Sequence, residues 1–520
     1  MVSLLCIPPF MTSVFTTDRR IKLGIWGLGR GLNFVRSAAA LNIDVVAGCD
    51  INPHMCENFR KMVPDAFVTQ DEDEFLAQDF DAVLIATYFR GHATHTLKAL
   101  SAGKHIMCEV TSFFTPAEGV AVVDAVEKSG KVYNLLENYP FSRENMYLRK
   151  LWQEGFFGDF MYAEYDYVHE CRTLSYAYNV DNGLPVEPGW TAHAWRSMLN
   201  YHYYNTHSLG PVMNITGLRP VSVSAMPCSV TLDGYLEGCR SATAFPSMIQ
   251  MSNGGVMRNL MGSTTNDYHS SGRIWGTKAG ADKMGELWIR VGGCGGGITL
   301  PIKAEWPELA ELAESTGHGG GDFWELYYFA REILTGEPAP WNVYSAADVT
   351  LTGIMAARSS AQGGAAVEVP DFRKSEVREQ YRHDNEHCWP TNVDAEHIFP
   401  DGHDRELTRH FTPTMTALYP MDSQSGGITL YNMVMQGIRL YPQVADEAGR
   451  LRIVKAANRL LEHLPMLAEN CRMARKIAAA YPECIAGRSL TRLIREEDFA
   501  GMEDTAGTAA KVRQWLETIK

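Results

Sequence analysis

Residues 21–41 read IKLGIWGLGRGLNFVRSAAAL, a sequence that passes from a short apolar run through a glycine-rich turn into apolar residues at helical spacing. This order predicts a strand, a tight turn and a helix. Gly27 would permit the turn, and Gly29 would let the backbone approach a pyrophosphate at the amino end of the helix. Gly31 comes one position early for a GxGxxG motif, in which Leu32 holds the third glycine position. The stretch therefore predicts the first unit of a dinucleotide-binding domain.

The next strand indicates which dinucleotide is bound. Residues 42–50 read NIDVVAGCD and end in Asp50, about twenty residues after the glycine turn. A carboxylate at this position would accept hydrogen bonds from the adenosine ribose and repel a 2′-phosphate, so it predicts NAD rather than NADP. Further apolar runs at 80–87, 104–110 and 131–138 alternate with helical stretches. This alternation is typical of a doubly wound parallel sheet, the Rossmann arrangement.

The pattern changes after about residue 145. Polar and apolar residues alternate at 158–172 and 222–232, and a hairpin turn is predicted at Asn253-Gly254-Gly255. We therefore predict an α/β plus α+β protein with a second, open and mostly antiparallel sheet. Helical stretches at 321–336 and 345–364 would pack back on the first domain. The predicted divisions are an N-terminal arm (1–20), an NAD-binding Rossmann domain (21–145), a substrate-binding domain (146–372) and a mostly helical C-terminal extension (373–520).

Composition excludes several classes of partner. The chain has 520 residues, and its 61 acidic and 47 basic residues give a net charge of -14, which disfavours nucleic acid as a ligand. Its eleven cysteines are scattered without a CxxC pair or metal-ligand spacing, so we expect free thiols, no metal and a cytoplasmic location. No apolar run is long enough to span a membrane, and the basic pair Arg19-Arg20 follows the apolar start instead of preceding it, unlike a secretory signal.

The C-terminal extension shows helical periodicity. Apolar residues recur at helical spacing from Ile453 to Leu464, so we expect amphipathic helices that pack on the body or on a neighbouring subunit. We expect this apolar stripe to be buried in a core, in preference to forming a groove that binds a partner protein.

Four short segments carry a resemblance to known enzymes. The order of glycine turn, Asp50, AGKHIMCEV (102–110) and a following antiparallel sheet resembles the Gfo/Idh/MocA oxidoreductase family over residues 20–372. Within that family, the chain resembles the NAD-dependent glycosidases of glycoside hydrolase family 109. The segments are GLGRG (27–31), LLEN (135–138), YNTHSLGPV (204–212) and TGHGGGDF (316–323). Many members of the larger family have a lysine after the residue that matches Glu109, whereas Val110 stands here and the family 109 glycosidases also lack that lysine.

The resemblance implies hydrolysis through a transient ketone. Oxidation at sugar C3 acidifies the C2 proton, a base removes it, the C1 substituent leaves with acid help, water adds and the hydride returns, so that NAD is recycled. The substrate would be a small carbohydrate or glycoside, and the open sheet implies a homo-oligomer. One alternative is an NAD-dependent sugar or inositol dehydrogenase, in which Tyr204 or His207 replaces the lysine. A third is a noncatalytic NAD-binding regulatory protein.

The candidate catalytic residues are Tyr204, His207, Tyr167 and Glu137. Tyr204 and His207 lie three positions apart, on one face of a helical turn, and are the predicted acid/base pair around C3 and C2. Tyr167 and His169 would point to one face of a strand, Tyr167 towards the sugar and His169, by resemblance, towards the nicotinamide. Glu137 follows a strand, where it would hold sugar hydroxyls or act as a base.

The remaining candidates would bind cofactor or substrate. Three glycines in HGGGD are costly to order, which favours a backbone passing close to a ligand between His318 and Asp322. Arg172 and Arg196 are substrate candidates that could equally form surface ion pairs. The predicted cofactor-binding residues are Gly27, Leu28, Gly29, Arg30, Gly31, Asp50, Thr87, His92, Glu109, Asn138 and His169.

Overall fold

The start of the first domain folds as the glycine-rich stretch predicts. In the computed structural model, strand β1 covers Ile21–Trp26, and a turn of 3₁₀ helix over Arg30–Phe34 leads into helix α1 over Val35–Ala38. The residues that the structure describes are 14–169, 172, 199–264, 271–292, 296–306, 309–388, 398–420 and 425–519.

The first sheet is parallel. Within the described residues it has six strands in the order β3-β2-β1-β4-β5-β6, so the order reverses between β1 and β4. Every residue of β4 and β6 is buried, as expected for a parallel sheet with helices on both faces. Ligands of such sheets bind at the carboxyl ends of the strands, beside the reversal. The further strands are β2 Ile43–Cys49, β3 Phe67–Thr69, β4 Ala82–Ile85, β5 His105–Glu109 and β6 Tyr133–Leu136. The helices of this region are α2 Pro53–Met62, α3 Glu72–Leu76, α4 His92–Ser101, α5 Pro116–Ser129 and α6 Arg143–Gln153.

The second sheet is open and mostly antiparallel, which confirms the predicted fold class. In the part of the chain that the structure describes, its nine strands have the order β14-β13-β12-β11-β7-β10-β9-β8-β15, and only β7 and β10 pair in parallel. The predicted hairpin at residues 253–255 joins β9 and β10. The strands are β7 Phe160–Val168, β8 Pro220–Ala225, β9 Ala244–Met251, β10 Val256–Gly262, β11 Gly272–Gly276, β12 Ala279–Met284, β13 Glu286–Val291, β14 Ile298–Ile302 and β15 Val367–Glu368.

Helices between the two sheets place the site. Helix α7 over Thr206–Thr216 packs on β7, and a short helix α8 covers Ala310–Glu314. Helix α9 over Gly321–Thr335 packs on β6, and α10 over Val343–Ala361 packs on both β8 and α5. Both later helices therefore return to the first domain as predicted. The two sheets share one apolar core, so the carboxyl end of β6 is held at a fixed position against α7 and α9.

The chain then crosses the outside of the first domain. We call residues 373–388 the strap; it contains helix α11 over Ser375–Tyr381. Arg378 in the strap forms ion pairs with Asp124 and Glu127 of α5, and Asp384 accepts two hydrogen bonds from Arg358 of α10. These pairs tie the extension to both domains.

Residues 398–519 form a helical bundle with a core of its own. Ala457, Leu460 and Leu464 of the predicted stripe are buried in that core, which also takes Leu236 from the substrate domain. Among the described residues, no helix combines the length and apolarity needed to cross a membrane. The helices are α12 Arg405–Thr408, α13 Phe411–Leu418, α14 Gly427–Leu440, α15 Glu447–Ala480, α16 Ile485–Glu496, α17 Phe499–Glu503 and α18 Thr505–Thr518.

Candidate functional site

The glycine turn after β1 has the geometry that a dinucleotide requires. Gly27 has a φ of +94°, and a Cβ atom there would lie 2.4 Å from the carbonyl oxygen of Ala86. A Cβ on Gly31 would lie 2.4 Å from Cγ2 of Ile25, so Gly31 performs the close helix–strand packing assigned to the third glycine of the motif. A Cβ on Gly29 would meet no atom within 4 Å. The open space beside Gly29 fits a pyrophosphate.

Asp50 lies directly after β2, at the predicted ribose position. Its two carboxylate oxygens accept hydrogen bonds from the backbone N–H groups of Leu28 (2.6 Å) and Asn52 (2.8 Å). Burial raises the pKa of Asp50, whereas these two N–H groups oppose the shift. Each carboxylate oxygen can accept a second hydrogen bond, so Asp50 retains the capacity to bind ribose hydroxyls.

His92 is placed differently from the prediction. Both ring nitrogens face backbone carbonyl oxygens, Nδ1 that of Thr111 (2.8 Å) and Nε2 that of Thr87 (2.9 Å). Burial alone lowers the pKa of His92, but the Cys108 thiol and the two carbonyl oxygens raise it to about 9. His92 therefore joins the loop after β4 to the end of β5 and offers no ring nitrogen to a cofactor. The Thr87 hydroxyl is bonded to Nδ1 of His95 (2.8 Å).

Arg30 connects residues that the sequence assigned separately to cofactor and substrate. Its Nε donates to Glu109 at 2.8 Å, and its two terminal nitrogens donate to Asp322 at 2.7 and 2.9 Å. Nδ1 of His318 is also 2.9 Å from Asp322. Although burial opposes it, pairing with Arg30 and His318 holds the pKa of Asp322 well below its usual range. We call Arg30, Glu109, His318 and Asp322 the Arg30 network.

The Arg30 network corrects the predicted role of Asp322. The Asp322 side chain is only 2% exposed and is bonded to Arg30 and His318, so it positions Arg30 instead of facing a sugar. The glycines of HGGGD have a packing reason as well. A Cβ on Gly321 would lie 2.6 Å from the carbonyl oxygen of Asn138, so this glycine allows α9 to approach the end of β6.

The predicted catalytic residues meet at the carboxyl end of β6. Glu137 is fully buried, and its Oε1 lies 2.9 Å from Nδ1 of His207 and accepts a hydrogen bond from the N–H of Tyr139 at 3.1 Å. Its Oε2 and the Oδ1 of Asn138 are buried without a hydrogen-bond partner among the described residues. Gly210 lets α7 come close, since a Cβ there would lie 3.2 Å from Cγ of Glu137.

Three tyrosines surround His207. The ring of His207 lies 4.5 Å from that of Tyr167, 4.7 Å from that of Tyr139 and 5.2 Å from that of Tyr204, measured between ring centroids. The His169 ring lies 5.8 Å from Tyr167. The predicted catalytic set is thus assembled from two strand ends and one helical turn, and Tyr139 joins it as a residue that the sequence did not single out.

Glu325 is the second residue that sequence reasoning missed. It lies one helical turn after Asp322, is 3% exposed, and has no hydrogen-bond partner for either carboxylate oxygen among the described residues. Burial and the charges of Asp322, Glu109 and Glu137 raise the pKa of Glu325 well above its usual range, while Arg30 opposes them. The protonated form of Glu325 is therefore favoured more strongly than that of an ordinary glutamate. Its i, i+3 spacing from Asp322 was the only signal available in the sequence.

Of the two arginines predicted to bind substrate, the structure describes Arg172 only. Arg172 donates from Nη1 to the carbonyl oxygen of Asp233 at 3.0 Å, and its guanidinium lies 4.2 Å from the ring centre of Tyr419 in the extension. Arg196 lies outside the described residues. Within the described ranges, no group of three or more His, Cys, Asp or Glu side chains could hold a metal ion.

Two family models match the chain. The model described as "Oxidoreductase family, NAD-binding Rossmann fold" (GFO_IDH_MocA) matches residues 21–136, and "Glycosyl hydrolase 109, C-terminal domain" matches residues 303–379. The chain resembles the glycoside hydrolase 109 group of these oxidoreductases. Residues 21–136 thus form an NAD-binding domain, and the protein is an enzyme. Both matches end before the helical bundle.

Individual relatives agree with the family models. The chain is 28% identical over 387 residues to an "Alpha-N-acetylgalactosaminidase" of Tannerella forsythia, covering 64% of this chain and 81% of the relative. It is 26% identical over 419 residues to a "Glycosyl hydrolase family 109 protein" of Stenotrophomonas maltophilia strain K279a, covering 69% and 91%.

Solved structures share the fold. A levoglucosan dehydrogenase in complex with NADH and L-sorbose aligns with a TM-score of 0.56 and 19% identity over 68% of this chain and all of that chain. An inositol dehydrogenase homolog from Azotobacter vinelandii, in complex with NADH and myo-inositol, aligns with a TM-score of 0.53 and 19% identity over 68% of this chain and 98% of that chain.

Two glycines of the turn, the exposed Gly29 and the buried Gly31, give a first prediction. We expect Gly31→Ala to lower the melting temperature, because its Cβ would overlap Ile25 and overpacking of this kind costs about 1–3 kcal/mol. Gly29→Ala, which has a φ of -68° and open space around its Cβ, should leave the melting temperature unchanged and weaken NAD binding. Thermal unfolding and calorimetric titration with NAD measure both effects. Equal melting temperatures for the two variants would contradict the assignment of Gly31.

The raised pKa of Glu325 gives a second prediction. The unfolded chain loses this proton near the ordinary glutamate pKa of about 4.3, whereas the folded protein loses it at a higher pH, so Glu325 lowers wild-type stability as pH rises between the two pKa values. Glu325→Gln has no proton to lose in either state. Its melting temperature relative to wild type should therefore increase from pH 5 to pH 8. The corresponding difference in the free energy of unfolding would grow by up to about 1.4 kcal/mol per pH unit. A difference that is constant over this range would show that Glu325 is ionised in the folded protein.

Proposed function

We propose that the protein is an NAD-dependent glycoside hydrolase that oxidises its sugar transiently at C3 and eliminates the C1 substituent after C2 deprotonation. The observation that carries the proposal is the buried hydrogen bond between Glu137 and His207, enclosed by tyrosines at the carboxyl end of β6. Glu137, His207 and the tyrosines together provide several proton-transfer groups close to one another, whereas a simple dehydrogenation needs one base. Val110, 6% exposed, stands where a lysine would serve as that base.

His207 is the proposed base at C2. Because the Glu137 carboxylate accepts a hydrogen bond, the ring nitrogen that faces it carries the proton, and Nε2 keeps its lone pair. Nε2 can then take a proton from a carbon acidified by a neighbouring ketone. The resulting imidazolium remains hydrogen-bonded to the Glu137 carboxylate, so the charge that develops is balanced by a group already in place.

Tyr204 is the proposed proton acceptor at the C3 hydroxyl, and Tyr167 contacts the sugar. The two tyrosine rings lie 6.5 Å apart, and each also packs against His207, which is close enough for three groups to address neighbouring atoms of one pyranose. To accept this proton Tyr204 must act as the phenolate, and the phenol so formed returns the proton to the C3 oxygen when the ketone is reduced again.

The first domain is proposed to hold NAD, the cofactor of the two redox steps. NAD, when bound, accepts a hydride from the sugar and later returns it. The backbone around Gly29 and the carboxylate of Asp50 are the residues proposed to hold the pyrophosphate and the ribose. The Arg30 network fixes Glu109 at the end of β5, beside the same crevice.

One assay decides between this hydrolase and an NAD-dependent sugar or inositol dehydrogenase. The enzyme is incubated in deuterated water with chromogenic α- and β-glycosides, including N-acetylgalactosaminides, while released phenol and NADH absorbance are followed. We expect phenol release, deuterium at C2 of the product and no net NADH. Steady NADH formation without cleavage would establish the dehydrogenase instead, and cleavage without deuterium at C2 would exclude the elimination route.

Removal of the proposed base gives a third prediction. We expect His207→Ala to reduce kcat by about 10²- to 10⁴-fold, the usual contribution of general acid–base catalysis, while NAD affinity stays within about twofold. The matched control is His383→Ala, the same change at an exposed histidine of the strap. Turnover with the chromogenic substrate and calorimetric titration with NAD measure the two effects. Loss of NAD binding in His207→Ala would place His207 at the cofactor and outside the proton transfer.

We also propose that the enzyme is a homo-oligomer. The open face of the second sheet exposes large apolar side chains on either side of a row of ion-paired residues, and exposed apolar patches rimmed by polar residues typically mark a protein–protein interface. The exposed apolar residues are Met248, Trp275, Met284 and Trp288. Light scattering should give a multiple of the 57.9 kDa monomer mass; a monomer at micromolar concentration would contradict this proposal.

A further inference from the structure

The helical bundle docks on one loop of the substrate domain. Leu236 of that loop lies in the core of the bundle, and Glu237 is bonded to α16 through Arg488 (2.6 Å) and the hydroxyl of Ser489 (2.8 Å). Arg492 of α16 donates to the carbonyl oxygen of Tyr235 at 2.9 Å. We call residues 232–237 the docking loop. Its main chain and side chains are thus held by the bundle.

Tyr419 of the bundle reaches past the docking loop to Arg172. It is 2% exposed, its ring lies 4.2 Å from the Arg172 guanidinium, and its hydroxyl donates to Glu497 at 2.9 Å. The ring is also packed on Gly234, where a Cβ would lie 2.3 Å from a ring carbon. Glu497 is in turn bonded to Asn432 at 2.8 Å, so the hydroxyl is joined to a further helix of the bundle, while packing on Gly234 holds the ring itself.

A second connection runs from the docking loop to the end of β7. The Tyr235 hydroxyl donates to Ser263 at 2.7 Å, and the Ser263 hydroxyl donates to the carbonyl oxygen of His169 at 3.2 Å. The hydroxyl of Tyr201 donates to the same carbonyl oxygen at 3.3 Å. His169 directly follows β7, and its ring lies beside Tyr167. The bundle is therefore linked to the residues that flank the aromatic cluster.

We propose that Tyr419 is a positioning residue and that the helical bundle belongs to the substrate site. By holding Arg172 and the docking loop, it sets the position of the end of β7 and so of the wall that carries Tyr167 and His169. The effect falls on substrate binding, because no described contact joins Tyr419 to Glu137 or His207. The expected effect on catalysis rests on the proposed hydrolase function, whereas the effect on the position of β7 does not.

The bundle lies outside the regions that the two family models match, since both end by residue 379. The strap also contacts both domains, since Arg240 donates to the carbonyl oxygen of Cys388 at 2.7 Å and Phe114 packs on His387 at 4.8 Å. The contribution of the bundle to the proposed site therefore comes from a part of the chain that neither family model describes.

Three variants test the proposal. Tyr419→Ala removes the ring from Arg172, Tyr419→Phe keeps the ring and loses only the bond to Glu497, and Tyr441→Ala removes an equally large ring that packs on Trp515 elsewhere in the bundle. We expect Tyr419→Ala to raise KM roughly two- to thirtyfold with kcat within about twofold, as loss of a buried cation–π contact would. Tyr419→Phe and Tyr441→Ala should keep the wild-type KM.

Amide hydrogen exchange provides a readout that does not depend on activity. Amides of residues 164–169 and of the docking loop should exchange faster in Tyr419→Ala than in wild type or Tyr441→Ala. Equal exchange in Tyr419→Ala and Tyr441→Ala would overturn the proposal, even if KM rises. If wild type releases no phenol from any glycoside, the proposed function fails and the exchange result still decides the role of Tyr419.

A folding control keeps the test decisive. If Tyr419→Ala fails to fold, Arg172→Lys replaces it, because lysine keeps the charge and loses the planar guanidinium that stacks on the ring. The same rise in KM and the same faster exchange at residues 164–169 are expected. Wild-type values for both in a folded Arg172→Lys variant would overturn the proposal.

Discussion

The hydrogen bond between Glu137 and His207 is the contact on which the rest of the site depends. Glu137 follows β6 in the first domain and His207 belongs to α7 in the second, so this bond joins the two domains at the proposed reacting centre, within the apolar core that they share. A fully buried carboxylate is tolerated only when its charge is paired or hydrogen-bonded. The local sequence provides for this, because Gly210 allows the close approach and the N–H of Tyr139 supplies a further donor.

Four carboxyl groups, three of them buried and that of Glu109 half-buried, lie near one another and set the charge of the crevice. Arg30 pairs with Glu109 and Asp322 and so balances part of the negative charge, and Glu137 is stabilised by its hydrogen-bond donors. Glu325 has no such partner among the described residues, and burial raises its pKa well above the usual range. Arg30, in the turn that begins the first domain, is thus the cation that offsets the charge of Glu109 and Asp322. It also ties that turn to α9, a helix almost three hundred residues later in the chain.

Local patterns in the sequence were sufficient to predict the architecture and part of the candidate site. The apolar runs predicted five of the six parallel strands and missed the three-residue edge strand β3, and the spacing of Tyr204 and His207 predicted that they lie together. The partner of Arg30 was not predictable in this way, because Asp322 is 292 positions away and only the packing of α9 brings it close.

Other residues escaped prediction because their roles depend on packing. His92 follows a strand end, as a ligand-binding histidine often does, yet the fold gives both its ring nitrogens to carbonyl oxygens. Glu325 looks like an ordinary helix residue until its burial is known. Tyr419 lies in a bundle with a separate core, so nothing in its own sequence context indicates Arg172.

Nitrogen-15 NMR of the histidine rings measures which nitrogen of His207 carries the proton, and the signals are assigned by their loss in a His207→Gln variant. With Glu137 ionised and accepting the hydrogen bond, Nδ1 should be protonated and Nε2 unprotonated at neutral pH. A ring protonated at Nε2 alone, with Nδ1 bare, would require Glu137 to be the donor. It would leave His207 without a lone pair facing the substrate and contradict its assignment as the base.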